Sequence, residues 1–123
     1  MSVEAQRSAI AVCGLADLVP GRGVAALVGG EQVAVFRLAD DEVLAVQQLD
    51  PFSGAHVMSR GIVGTRGDHV TVASPVHKQV FDLRTGRCLD PVGRAPADLR
   101  VWRARVDPDR RVLIDILPVA APA

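Results

Sequence analysis

Aromatic side chains are scarce in this chain of 123 residues: they make up 3%, with one Trp, three Phe and no Tyr. A hydrophobic core must therefore be built from aliphatic side chains, and hydrophobic residues do reach 49% of the sequence. Many of these are Val, a β-branched residue that suits strands better than helices. Apolar residues nowhere keep a 3.6-residue period over three turns. Composition and pattern together predict an all-β chain.

Excess charge is also lacking. Lys and Arg total 14 and Asp and Glu total 14, so no basic excess favours a nucleic-acid partner. No apolar run reaches the length of about 18 residues that a membrane span needs. The first residues show no basic segment followed by an apolar one, so we expect a cytoplasmic protein. Cys13 and Cys88 are then expected to be reduced, partly buried thiols.

Short strand-like runs alternate with turn residues, which is typical of a small antiparallel β sandwich or barrel. The length of the chain suits one hydrophobic core. We expect one domain over residues 10–117, with a flexible N-terminus over residues 1–9 and a flexible tail over residues 118–123.

Local turn signals divide the chain further. Gly29-Gly30 can supply the positive φ angles of a tight hairpin. Residues 50–67 are rich in Gly and read as loop, with one short strand at Ile62-Val63. Residues 100–106 alternate between apolar and basic side chains and predict a single strand.

Two segments carry the most specific pattern: DPFSGAHV over residues 50–57 and SPVHKQVFDLRTG over residues 74–86. Their prolines, Gly-Ala pair, Phe-Asp pair and Thr-Gly turn resemble the two ligand loops of Rieske proteins. In that family, two Cys and two His bind a [2Fe–2S] cluster. The resemblance implies a Rieske-like antiparallel sandwich or barrel from which the two loops project. In this chain the four ligand positions are occupied by Asp50, Phe52, Ser74 and His77.

Only His77 keeps the identity of a cluster ligand. Asp50 and Ser74 offer oxygen ligands, and Phe52 offers no ligand atom. Because the irons of the cluster need thiolates, we expect no cluster. A mononuclear metal site is a second possibility, and it would combine Asp50 and His77 with His56 or His69. The alternative is that these are ordinary surface or hydrogen-bonded residues.

The run LDPFSGAHVMSRGIVG, residues 49–64, is also similar to the small subunit of bacterial assimilatory NAD(P)H-dependent nitrite reductase. In that Rieske-like family the cluster ligands are commonly missing. The run SPVHKQVFDLRTGRCLD, residues 74–90, fits the same family in order and spacing. The resemblance implies a large-subunit partner that holds FAD, [4Fe–4S] and sirohaem and reduces nitrite to ammonium. It also implies that this chain carries no cofactor and acts by docking.

The tips of the two loops are the candidate docking surface, because an apolar centre with a charged rim suits a protein interface. An alternative is that Phe52 and Val76 turn inward and only cap the core. If the ring of Phe52 fills space that a cluster would occupy, Phe52→Asp should be more damaging than Asp50→Ala. The candidate docking residues are Pro51, Phe52, Val57, Arg60, Pro75, Val76, His77 and Lys78.

Two other functions stay open. A Rieske-type, ferredoxin-like electron carrier for an oxygenase would need cluster ligands. A free-standing metal-dependent domain would need stoichiometric metal at Asp50 and His77. A serine hydrolase has little support, because the sequence has no Gly-x-Ser-x-Gly elbow.

Overall fold

The computed structural model describes residues 8–120, which form short β-strands joined by turns and two single turns of 3₁₀ helix, Leu15–Asp17 and Met58–Arg60. All pairs between the strands are antiparallel, which confirms the all-β prediction. No helix in this part of the chain is long and apolar enough to cross a membrane. The strands are β1 (Ala9–Gly14), β2 (Gly23–Val28), β3 (Glu31–Arg37), β4 (Val43–Gln47), β5 (Ile62–Arg66), β6 (His69–Ala73), β7 (Val80–Asp82), β8 (Cys88–Asp90), β9 (Val101–Trp102), β10 (Ala104–Val106) and β11 (Arg111–Asp115).

The strands form three sheets with the orders β1-β11-β10, β2-β3-β4-β9 and β5-β6-β7-β8. Each of the three sheets has two edge strands among the described residues, so none closes on itself. The Rieske-like architecture is therefore a stack of open sheets, and of the two predicted forms the structure shows the sandwich and not the barrel.

The sheet that contains β3 lies between two hydrophobic clusters. Val33 and Val35 of β3 pack into one cluster, while Ala34 and Phe36 pack into the other. Burial on both faces explains why β3 reads as a continuous apolar run and alternates only in part. The domain thus has two cores on either side of a central sheet, where a single core was expected.

The first cluster packs between the central sheet and the β1-β11-β10 sheet, and the second packs between the central sheet and the β5-β6-β7-β8 sheet. The first consists of Leu15, Leu18, Val28, Val33, Val35, Val43, Ala45, Trp102, Val112 and Ile114. The second consists of Ala34, Phe36, Leu38, Val46, Met58, Val72, Phe81, Leu83 and Leu99. Aliphatic side chains dominate both, as the composition predicted.

Two strand predictions need correction. The strand predicted at Ile62-Val63 is longer and forms β5. Because β5 is a largely exposed edge strand, its sequence shows no apolar alternation from which its length could be predicted. Residues 100–106 are two strands, because β9 pairs with β4 while β10 pairs with β11. The chain leaves one sheet for another at Arg103, a change of partner that alternation alone cannot reveal.

The hairpin predicted at Gly29-Gly30 is confirmed, since both glycines have positive φ, 56° and 83°. The predicted flexible ends lie partly outside the described residues, which exclude 1–7 and 121–123. Inside the described part, β1 already begins at Ala9, and the N–H of Val119 donates to Val101 O at 2.7 Å.

Both cysteines are free and half-buried, as expected of reduced thiols. Cys13 packs against the first cluster and Cys88 against the second, so the central sheet separates them. Burial, followed by the charge of Asp17, raises the pKa of the Cys13 thiol.

We expect Gly86→Ala to lower the free energy of unfolding by roughly 2–5 kcal/mol, through left-handed strain and overpacking. Gly86 has a φ of 78°, and a Cβ there would lie 2.0 Å from Leu99 O. Gly54 has the same φ with open space around it, so Gly54→Ala should cost only about 1–2 kcal/mol. Urea unfolding of both variants measures the difference, and equal losses would contradict the predicted clash.

Candidate functional site

The two predicted loops share one backbone design. The N–H of Asp50 donates to the carbonyl of Ala55 at 2.8 Å, and the carbonyl of Asp50 accepts from the N–H of Gly54 at 2.8 Å. Ser74 makes the equivalent pair of bonds, to a carbonyl and from an N–H within its own loop, at 2.9 and 3.1 Å. Each loop is therefore closed by hydrogen bonds at its base.

A side-chain hydrogen bond joins the two loop bases. The hydroxyl of Ser74 donates to Asp50 Oδ2 at 2.5 Å, and both residues are buried, with 1% and 0% exposure. Asp50 Oδ2 also accepts from the hydroxyl of Ser53, and Oδ1 accepts from the N–H of Phe52, each at 2.9 Å. The structure thus brings together two of the predicted ligand positions and connects them directly.

These donors control the ionisation of Asp50. Burial pushes the pKa of the Asp50 carboxyl upward, but the hydrogen bonds from Ser74, Phe52 and Ser53 outweigh it, so the pKa lies below the usual value. The carboxylate is therefore charged near neutral pH although it is buried.

Two consecutive glutamines, for which no role was predicted from the sequence, support the first loop. Gln48 accepts from the N–H of Ser59 at 2.7 Å and donates to the hydroxyl of the same residue at 2.9 Å. Gln47 donates to Leu49 O at 2.8 Å and accepts from the N–H of Arg100 at 2.8 Å. Two consecutive amides at the end of an apolar strand were the available signal, because such side chains are buried only when hydrogen-bonded.

The Phe52 side chain packs against the second cluster. Its ring is half-buried and lies 6.0 Å, centroid to centroid, from the ring of Phe81. The inward alternative therefore holds in part for Phe52, whereas Val76 is 43% exposed. The guanidinium of Arg94 lies 5.7 Å from the centroid of the Phe52 ring, a contact that the sequence did not indicate.

The structure explains the Phe-Asp pair and the Thr-Gly turn of the second segment, because Asp82 organises this turn. Asp82 Oδ1 accepts from the N–H groups of Arg84 and Thr85, at 2.8 and 3.2 Å, and so holds the turn between β7 and β8. Asp82 Oδ2 lies 2.7 Å from His69 Nδ1. Burial raises the pKa of Asp82, but the bonds from His69 and the backbone lower it overall.

The other candidate docking residues differ in exposure. Pro51 and Val57 are half-buried, while Arg60 is exposed and lines a recess with Gly21 and Ile62. Exposure at the second loop is greater, and its exposed members are Pro75, Val76, His77 and Lys78.

The four ligand positions do not fit a [2Fe–2S] cluster. The oxygens of Asp50 already accept three hydrogen bonds, the proton of the Ser74 hydroxyl points to Asp50, and Phe52 has no donor atom. Gln79 is buried and its side-chain oxygen lacks a hydrogen-bond partner among the described residues, but an amide oxygen does not replace a thiolate. Within residues 8–120, no three His, Cys, Asp or Glu side chains are placed to hold a metal ion.

Three stacked antiparallel sheets with two loops bridged at their bases define a Rieske-type domain in which a buried carboxylate occupies a ligand position. Residues 9–115 match the family of Rieske-like [2Fe–2S] domains.

More similar relatives narrow the family. The chain is 46% identical over 80 residues to a nitrite reductase (NADH) small subunit of Salmonella typhimurium, covering 64% of this chain and 74% of that one. A crystal structure of an NADH-dependent nitrite reductase small subunit from Mycobacterium tuberculosis is 46% identical, with a TM-score of 0.81. That match covers 94% of this chain and 98% of the other. The chain belongs to the Rieske-like family of NAD(P)H nitrite reductase small subunits, which are subunits of an oxidoreductase.

A third relative is larger. The chain is 38% identical over 97 residues to part of the nitrite reductase [NAD(P)H] large subunit of Klebsiella oxytoca. The match covers 79% of this chain and 10% of that protein. In that organism, a segment similar to this domain therefore belongs to the large-subunit polypeptide.

We expect Ser74→Ala to lower the free energy of unfolding at pH 7 by about 1.5–3 kcal/mol, the usual worth of a hydrogen bond to a charged group. Because the folded-state pKa of Asp50 is lowered, its stabilising contribution is present above the unfolded pKa of about 3.9. That contribution is lost as the pH falls through the folded-state pKa. The loss in Ser74→Ala should therefore shrink in acid.

Ser53→Ala is the control, because Ser53 is exposed and donates to the same oxygen of Asp50; its hydroxyl also accepts from the exposed N–H of Ala55 at 3.2 Å, and water can replace both contacts. Urea unfolding of both variants at neutral and acidic pH measures the effect. A loss in Ser74→Ala that does not change with pH, or that equals the loss in Ser53→Ala, would show that the buried bond contributes little.

The structure also reverses the order of damage expected from the sequence. We now expect Asp50→Ala to cost more stability than Phe52→Asp, because removing the carboxylate leaves the buried Ser74 hydroxyl without its acceptor. A carboxylate at position 52 would stay partly hydrated and close to Arg94. Thermal unfolding of the two variants decides the order, and a lower melting temperature for Phe52→Asp would restore the first expectation.

Proposed function

We propose that this chain is a cofactor-free, cytoplasmic small subunit of the assimilatory nitrite reductase and acts by docking to the large subunit. The large subunit would hold FAD, [4Fe–4S] and sirohaem and would reduce nitrite to ammonium with NAD(P)H. The Ser74–Asp50 hydrogen bond is the observation that carries the proposal. Its two side chains stand at two of the cluster-ligand positions, and their oxygens do not suit an iron–sulfur cluster.

The exposed residues at the ends of the two loops support a docking role. Without redox-active ligands, the loops offer shape, apolar area and charge, which are the properties of a binding surface. Val76 is 43% exposed, and its neighbours His77 and Lys78 are also exposed. The Klebsiella oxytoca relative supports the choice of partner, because a similar segment and the rest of a large subunit form one polypeptide there.

Visible absorption and metal content distinguish this proposal from the two alternatives. A Rieske-type electron carrier would show the visible absorption of an iron–sulfur cluster in the isolated protein. A metal-dependent domain would contain stoichiometric metal that is lost in His77→Ala. The structure gives no specific support to either alternative, because the described residues bring no metal-ligand group together.

We expect the purified chain to be colourless and free of iron, to co-elute with the matching large subunit, and to increase its nitrite-dependent NADH oxidation. Gel filtration and a spectrophotometric assay with and without the chain measure both properties. A control lacking nitrite shows whether the stimulated oxidation is coupled to nitrite reduction. Absence of both co-elution and stimulation would leave a Rieske-like domain without this role.

A further inference from the structure

A third loop lies at the same end of the molecule as the two predicted ones. β7 and β8 form an antiparallel hairpin in which Val80 pairs with Asp90. The chain therefore enters β7 from the loop of residues 74–79 and leaves β8 into residues 91–97 at the same end. The opposite end of this hairpin carries the turn that contains Arg87.

The third loop holds a valine in a costly backbone conformation. Val92 has a φ of 51° and is followed by Gly93 at 78°, and a left-handed conformation is unfavourable for a β-branched residue. The turn is held by the N–H of Val92, which donates to Asp90 Oδ1 at 2.9 Å, and by the N–H of Arg94, which donates to Pro91 O at 3.2 Å. Despite this cost, the Val92 side chain is 50% exposed. Residues in unfavourable backbone conformations are concentrated at functional sites such as ligand clamps.

Arg94 connects this loop to the first loop. Its guanidinium donates to Phe52 O at 3.3 Å and lies over the Phe52 ring, 5.7 Å from the centroid. The first loop is in turn bonded to the second through Asp50 and Ser74. The three loops therefore form one connected surface, which we call the tip surface. Its apolar and basic side chains that are not buried include Phe52, Val76, Lys78, Val92 and Arg94.

The loop segments of the tip surface contain basic side chains and no carboxylates, while the flanking carboxylates of Asp50 and Asp90 accept hydrogen bonds at the loop bases. Residues 51–57, 75–79 and 91–97 contain Lys78 and Arg94 but no Asp or Glu. Neither side chain has an ion-pair partner among the residues that the structure describes. A surface with three apolar side chains and unneutralised cations complements an apolar depression bordered by carboxylates.

We propose that Arg94 fixes the third loop against Phe52, so that Val92 and Val76 together enter an acidic-rimmed apolar depression on the nitrite reductase large subunit. This inference rests on the proposed function, which supplies the partner. Arg94 has two separable effects in it: its charge attracts the partner, and its planar guanidinium holds the third loop in place. Lysine would keep the first effect and lose most of the second.

Binding kinetics to the large-subunit holoenzyme test the two effects. We expect Arg94→Ala to weaken binding about fivefold or more, the effect of removing an important interface residue, through slower association at low salt and faster dissociation. Arg94→Lys should associate at nearly the wild-type rate but dissociate faster. Arg87→Ala removes an equal charge from the opposite end of the β7–β8 hairpin and should change neither rate.

Val92→Gly provides a test in which a loss of affinity cannot be attributed to unfolding. Glycine relieves the left-handed strain, so the melting temperature should stay the same or rise. The affinity for the large subunit should nevertheless fall about fivefold, because the exposed side chain is lost. Unchanged affinity in Val92→Gly, or equal kinetics for Arg94→Ala and Arg87→Ala, would overturn the inference and leave the docking role intact. Failure of the wild-type chain to bind the large subunit would instead overturn the proposed function and this inference with it.

Discussion

The hydrogen bond from the Ser74 hydroxyl to the Asp50 carboxylate is the contact on which the rest of the candidate site depends. It joins two loops whose bases are 24 residues apart in sequence, and both partners are buried. A buried carboxylate is stable only when hydrogen bonds replace its hydration, and here one side-chain oxygen receives two hydroxyls while the other receives an N–H. Any change that reorients Asp50 therefore alters the first loop, the orientation of Phe52 and the contact of Arg94 together.

The two cores explain how this bond is kept in place. The first loop follows β4 of the central sheet, whose side chains pack into clusters on both faces, and the second loop follows β6, which contributes Val72 to the second cluster. Phe81 belongs to the same cluster and supports the ring of Phe52. The loop bases thus start from rigid strands, and the buried amides of Gln47 and Gln48 satisfy the backbone where β4 ends. The distance of 2.5 Å between the Ser74 hydroxyl and Asp50 Oδ2 is typical of a hydroxyl that donates to a carboxylate.

Features encoded by neighbouring residues could be predicted from the sequence, and features that need distant partners could not. The Gly29-Gly30 hairpin and the all-β class follow from local turn chemistry and from the lack of a helical period. The change of sheet at Arg103 depends on which strands lie nearby, because the pattern of residues 100–106 is the same for one strand as for two.

The candidate site shows the same limit. The sequence placed Asp50 and Ser74 at equivalent ligand positions, but nothing in it showed that one donates a hydrogen bond to the other. Arg94 is 42 residues from Phe52 and lies in a Pro-rich connection without periodicity, so its contact had no sequence signal. The exposure of two residues, which the sequence did not indicate, changes the order of damage that we expect from their variants: Asp50 is fully buried, whereas Phe52 lies at the rim of the second cluster.

Replacing metal ligation by hydrogen bonds changes what can control the shape of the loops. An iron–sulfur cluster holds its loops through metal–ligand bonds, and its net charge changes with each electron it accepts or releases. The Ser74–Asp50 bond contains no redox-active group, so its strength depends on protonation of the carboxylate and not on electron transfer. The lowered pKa of Asp50 keeps that carboxylate ionised at neutral pH, well above the range in which it would be protonated. In the proposed role, the bond that joins the two loop bases would therefore not itself gain or lose charge when electrons move through the partner.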